Sequence, residues 1–164
     1  MSEKKLINIC NGTYGRVWLN GTSLFQAKSF SLELKLELEK IVGYGDHALE
    51  NAYYLKGWEA IGKFKVDYAD SMDLGNTLEM MKSGKMPTFS VQEELGGSNQ
   101  YKGQKEVIYA GECWLEGLPI VNWEGGKQVE KEYSFKANPK SINVVKEIID
   151  ESGIKRANSA DFIA

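Results

Sequence analysis

The chain holds one histidine, two cysteines and three prolines in 164 residues. Each scarcity narrows the range of functions. A metal centre or a nucleophile–base pair needs several groups at fitting spacing. His47 has only Asp46 and Glu50 near it in sequence, so we expect no enzyme, no cofactor and no metal. Cys10 and Cys113 are too few for a disulfide framework and are expected to be reduced. No apolar run approaches the roughly 18 residues that span a bilayer. The first residues, Met1-Ser2-Glu3-Lys4-Lys5, lack the apolar core of a signal peptide, so cytoplasmic synthesis and no membrane partner are expected. Lys and Arg number 20 against 23 Asp and Glu, a net charge of −3, which gives no basic excess for tight nucleic-acid binding. Gly43-Tyr44-Gly45 lacks the third glycine of a dinucleotide motif, and neither a Walker loop nor a nucleophile elbow occurs. Asn11-Gly12-Thr13 and Asn20-Gly21-Thr22 match a glycosylation sequon that is idle without secretion, and Asn-Gly reads better as a turn.

What the chain has in quantity is alternation. Residues 16–19 read as a short strand, closed by an Asn20-Gly21 hairpin turn whose residues both tolerate positive φ. Phe30, Leu32, Leu34, Leu36 and Leu38 then occupy every second position, with Ser31, Glu33, Lys35, Glu37 and Glu39 between them. Period two places the leucines on one side of a strand, although Leu, Glu and Lys favour helix by propensity. The strand is expected over residues 24–40, about three times the common length of 5–6 residues. Residues 42–52 break the pattern as a loop, the tip of a long hairpin. Alternation resumes with Trp58, Ala60, Gly62, Phe64, Val66 and Tyr68 on one face.

A helix is expected over residues 70–84, capped by Asp70 or Ser71, with Asp73 in its first turn and Leu74, Leu78 and Met81 along one face. Further strands are expected at 88–94, 106–116, 118–123 and 128–136. In the second of these, Val107, Tyr109, Gly111, Cys113 and Leu115 share a side. In the last, Val129, Tyr133 and Phe135 point inward. Asn138 and Pro139 look like the start of a second helix with an Ile142, Val145, Ile148 and Ile149 stripe, stopped by Gly153. Residues 1–164 form one domain, with an arm at 1–13 and a C-terminal helix and tail at 138–164. The fold class is mainly β (α+β), sandwich- or barrel-like.

A long strand with a charged face is costly to leave as an open edge, because its unpaired backbone groups invite pairing. Closure into a barrel removes the edge. One chain of this size cannot make a wide barrel, but a ring of copies can. The leucine face would then pack on the helix and a second sheet, so that Leu34→Asp should abolish folding. Glu33, Lys35, Glu37 and Glu39 would line a mildly negative, water-filled bore to which a polyanion such as DNA does not stick.

The order of these elements resembles one family. Asn11-Gly12-Thr13-Tyr14-Gly15-Arg16-Val17-Trp18-Leu19-Asn20-Gly21 is similar to the family's opening. The long alternating strand, the glycine-containing loop and the strand at 57–68 follow. Next come Leu78-Glu79-Met80-Met81, Pro87-Thr88-Phe89-Ser90-Val91 and the strand at 129–135. Over roughly residues 8–137 the chain resembles the tail tube proteins of contractile phages, PBSX-like prophages and R-type bacteriocins such as diffocins. Residues 138–164 go beyond the resemblance. It implies a β-sandwich-like structural subunit whose hexameric rings stack into a hollow tube, with sheath, tape-measure and baseplate proteins as partners and DNA as a candidate cargo in the bore. It also implies assembly in a bacterial cytoplasm, release in a virion or bacteriocin tail, and contact between subunits through the arm and the loop carrying Tyr44, Asp46, His47 and Glu50. Two other readings are a secretion-system ring protein of similar fold and a monomeric β-barrel that binds a ligand.

Overall fold

The structure, a computed structural model, describes residues 15–41, 52–67, 71–96 and 104–148. The arm, the loop at 42–51 with Tyr44, Asp46, His47 and Glu50, and the tail beyond 148 lie outside them. Eight strands form one antiparallel sheet: β1 (Arg16–Leu19), β2 (Thr22–Ser23), β3 (Ala27–Lys40), β4 (Tyr53–Asp67), β5 (Thr88–Gly96), β6 (Lys105–Gly117), β7 (Glu130–Ala137) and β8 (Ile142–Lys146). The order is β2-β1-β5-β6-β7-β4-β3, with β8 paired to β6. The sheet is open, and α1 (Leu74–Lys82) is the one α-helix among the described residues.

The ends of this order curl toward each other around one core. Val17 of β1 and Val91 of β5 share a buried cluster with Phe64 and Val66 of β4, Cys113 of β6 and Phe135 of β7. Phe135 is fully buried and sits at its centre, 6.1 Å from Phe30, 6.0 Å from Phe64 and 5.4 Å from Phe89, ring to ring. Phe64 stacks on Tyr133 at 4.9 Å. Across the sheet, Gly62 leaves room for the Phe135 ring: a Cβ there would lie 2.1 Å from its Cζ. Register shifts in the β3–β4, β5–β6 and β6–β7 pairings mark irregularities that help long strands bend into this curl.

The Asn20-Gly21 turn forms as expected, with φ of 50° and 80°, the left-handed pair of a two-residue hairpin. The Asn20 side chain also accepts a hydrogen bond from the Ser90 amide at 2.8 Å, fastening the turn to β5. The β3–β4 hairpin pairs from Ala27↔Val66 to Lys40↔Tyr53, with shifts after Ala27 and after Glu37 and an unbroken register between them that includes Leu34↔Ala60 and Leu36↔Trp58. Cys113 is a buried free thiol, pushed up to about 11 by burial first and by Glu112 second, so it behaves as a core residue.

Four expectations are corrected. The C-terminal helix is absent from the described residues. Asn138 does cap a helix, through a bond from the Lys140 amide at 3.1 Å, but it is a single 3-10 turn over Pro139–Ser141, and β8 then pairs with β6. Ile142, Asn143, Val144 and Val145 are mostly β-branched and suit a strand. Residues 118–123 form no strand. They start with Leu118-Pro119, and proline removes a ladder donor. In β6 the buried residues are Val107, Ala110 and Cys113, while Tyr109 and Gly111 are exposed. The register shift opposite Phe89 and Val91 changes which residues face the core. Helix α1 is shorter than expected. Asp73 is its N-cap rather than a first-turn residue, in a left-handed conformation, and its carboxylate accepts from Asn76 at 2.8 Å instead of capping a backbone amide.

Candidate assembly surfaces

The two faces of the β3–β4 hairpin differ as the alternation demands. On one, Glu33, Lys35, Glu37 and Glu39 are all exposed. This face continues over β4 and β7 as a lattice of opposite charges. Glu132 lies 3.8 Å from Lys63 and 3.9 Å from Lys65; Lys136 bonds Glu59 and lies 3.9 Å from Glu116; Lys28 bonds Glu130. Lys56 bridges Glu37 and Glu39 at 3.8 Å each. The Tyr54 hydroxyl donates to Glu39 at 2.8 Å, which raises the pKa of the phenol. The hydrogen bond from Lys136 lowers the pKa of Glu59, and the bond from Lys28 does the same for Glu130. The four predicted residues therefore share a face, where Lys56 of β4 sits against Glu37 and Glu39, while the lysines at 63, 65 and 136 pair with other carboxylates of the same face.

The opposite face departs from expectation. Phe30 and Leu32 pack against the core, but beyond them the hairpin outruns its cover. Leu34, Leu36 and Leu38 are 43%, 53% and 56% exposed, and Leu55 and Trp58 on β4 are exposed beside them. The physical reason is length: β7 pairs with β4 only from Ala60 to Asp67, and nothing among the described residues covers the half beyond. The leucine face is thus an open apolar tongue, continuous with the core at its base.

Helix α1 does not cover it. No residue of α1 is buried. Leu74, Thr77 and Leu78 are its half-buried residues, in keeping with the expected Leu74 and Leu78, whereas Met81 is exposed. Leu74, Thr77 and Met80 line its inner side. They roof a groove of about 370 Å³ whose other walls include Met86, Phe89 and Leu118. Sequence reasoning missed this groove; the cluster of Met72, Met80, Met81 and Met86 around the helix was its one visible signal.

A second cleft lies between β1, β5 and the start of β3, lined by Arg16, Val17, Lys28, Phe30, Glu93 and Leu95. Glu93 shares the core-facing side of β5 with Val91. Burial, with Glu106 and then Glu94 adding repulsion, pushes its carboxyl up to about 7. Among the described residues no group of three or more His, Cys, Asp or Glu side chains could hold a metal ion, and no helix is long and apolar enough to cross a membrane.

A β3 edge of 14 residues with no neighbour among the described strands, an open apolar tongue and a charge-balanced opposite face define a subunit whose surfaces suit assembly. Residues 3–138 match the family described as Phage tail tube protein. The chain belongs to that family, and its role is structural, in the tube of a phage tail. No curated protein matches the chain.

Proposed function

We propose that six copies of this chain close into a ring, and that the rings stack into a hollow tube inside a contractile sheath. The observation that carries this reading is the β3–β4 hairpin. Among the described residues it has an unpaired long edge, a leucine side without cover and a charged side fit to face water. An isolated chain would leave both liabilities to solvent. A ring removes them together, because each copy presents an edge and an apolar patch to its neighbour. Glu33, Lys35, Glu37 and Glu39 then line the bore. The loop bearing Tyr44, Asp46, His47 and Glu50, at the end of the hairpin, reaches a neighbouring copy. Sheath, tape-measure and baseplate proteins are the further partners, and DNA crosses the bore without specific contacts.

Electron microscopy of the purified chain over a range of concentration and salt tests this. Closed rings of six with an open centre are the expected product, and stacks of them at high concentration. A chain that remains monomeric under every condition refutes it.

A further inference from the structure

Among the described residues two apolar surfaces remain open, and they are different surfaces. One is the tongue of Leu34, Leu36, Leu38, Leu55 and Trp58. The other is the groove under α1. No tongue residue lines the groove, so the chain does not fill its groove with its own tongue. Both open from the same side of the sheet. Leu34 and Leu36 stand opposite Ala60 and Trp58, in line with core residues Phe64 and Val66, and Phe64 and Tyr133 also line the groove. The charged lattice occupies the other side.

We propose that the tongue of one copy seats in the α1 groove of the next copy. This rests on the ring reading above and specifies its contact. Joining two unlike patches is a head-to-tail contact, which yields a closed ring whenever the rotation closes. Because both patches open from the same side of the sheet, every copy so joined keeps its charged face on one common wall and its α1 on the opposite one. The chemistry fits. Unbranched methionines such as Met80 and Met86 adapt their shape to a row of aliphatic side chains. The area argues for a neighbour of the same kind. The tongue exposes on the order of 500 Å², near the upper end of patches on monomers. That falls short of the roughly 800 Å² each partner gives a stable interface. The edge of β3, free among the described strands, runs along the same hairpin and supplies the remainder to a partner that presents a strand, as a second copy of this chain does.

The test uses full-length chains carrying Cys10→Ser, with buried Cys113 left in place. One variant adds Leu36→Cys, a second Met86→Cys, a third Met80→Cys, all at exposed positions. Leu36→Cys protein is mixed with each partner under assembly conditions, oxidised mildly, and separated without reductant. The expected result is a heterodimer joined from position 36 to 86 or 80, and a ladder of larger species when one chain carries both cysteines. Rings visible by microscopy with no such link, or joined mainly from 36 to 36, overturn this contact while leaving the ring reading intact. Absence of rings altogether overturns both.

Discussion

Replacing Gly62 with alanine tests whether the core is organised around Phe135 as described. The added methyl carbon would lie 2.1 Å from the Phe135 Cζ and 2.5 Å from both Cε atoms, far inside contact distance. The ring cannot retreat easily, because it is fully buried among Phe30, Phe64 and Phe89. Overpacking of this kind costs about 1–3 kcal/mol, and an overlap this deep belongs at the upper end. Alanine recovers roughly 0.5–1 kcal/mol relative to glycine within a strand. The net loss should be about 2 kcal/mol, a fall of roughly 4–8 °C in Tm for a chain of this size. Urea denaturation of the unassembled chain should show a lower midpoint with an unchanged slope. The cause is then isolated by repeating the substitution in a Phe135→Leu background, where the ring edge is gone and Gly62→Ala should cost less than about 0.5 kcal/mol. An equal cost in both backgrounds, or a Gly62→Ala chain as stable as its parent, would refute the close approach of glycine and ring.

Leu34→Asp and Glu37→Lys form a matched pair on one strand. With Leu34 at 43% exposure and Glu37 in an exposed pair with Lys56, both chains should fold, with circular dichroism like the parent. Leu34→Asp should block ring formation seen by sedimentation, and Glu37→Lys should leave it intact; an unfolded Leu34→Asp monomer would show that the tongue is covered after all. Glu93 gives a pH dependence. Its folded pKa is raised from 4.5 to about 7, so the stability it contributes is present below about pH 4.5 and is lost as pH rises through about 7. With solvent screening the loss is on the order of 1–2 kcal/mol. Glu93→Gln should flatten that part of the profile in thermal melts from pH 5 to 8, and an unchanged slope would exclude a desolvated carboxylate.

The strand content was legible wherever local pattern and pairing agree. Alternation from Phe30 to Leu38 outweighed helical composition, and Asn20-Gly21 named its own turn. What failed depended on remote partners. Residues 142–146 carry both a helical stripe and β-branched character; the exposed length of β6 decided between them, and no local signal encodes it. The facing of Tyr109 and Gly111 was misread because the register shift lies against β5, some twenty residues away. Alternation showed that the leucines share a side, but could not show where their cover stops. That limit is set by the end of β7. As for the candidate surfaces, the four charged residues of β3 were legible as a face, whereas the ion pairs of β4 and β7 that extend it arise only through strand order.

If the charged face of the hairpin lines the bore as proposed, its lattice of paired charges has a consequence for whatever travels past it. A wall of one sign projects its field across about a Debye length, ~8 Å at physiological salt. Where Lys63 and Lys65 flank Glu132, and Lys136 sits between Glu59 and Glu116, each field is closed by a neighbour within 3.9 Å. Such a surface is wet yet nearly silent at a distance. A passing polymer would feel neither a trap nor a uniform push, only a hydrated boundary, and so could slide by with little friction.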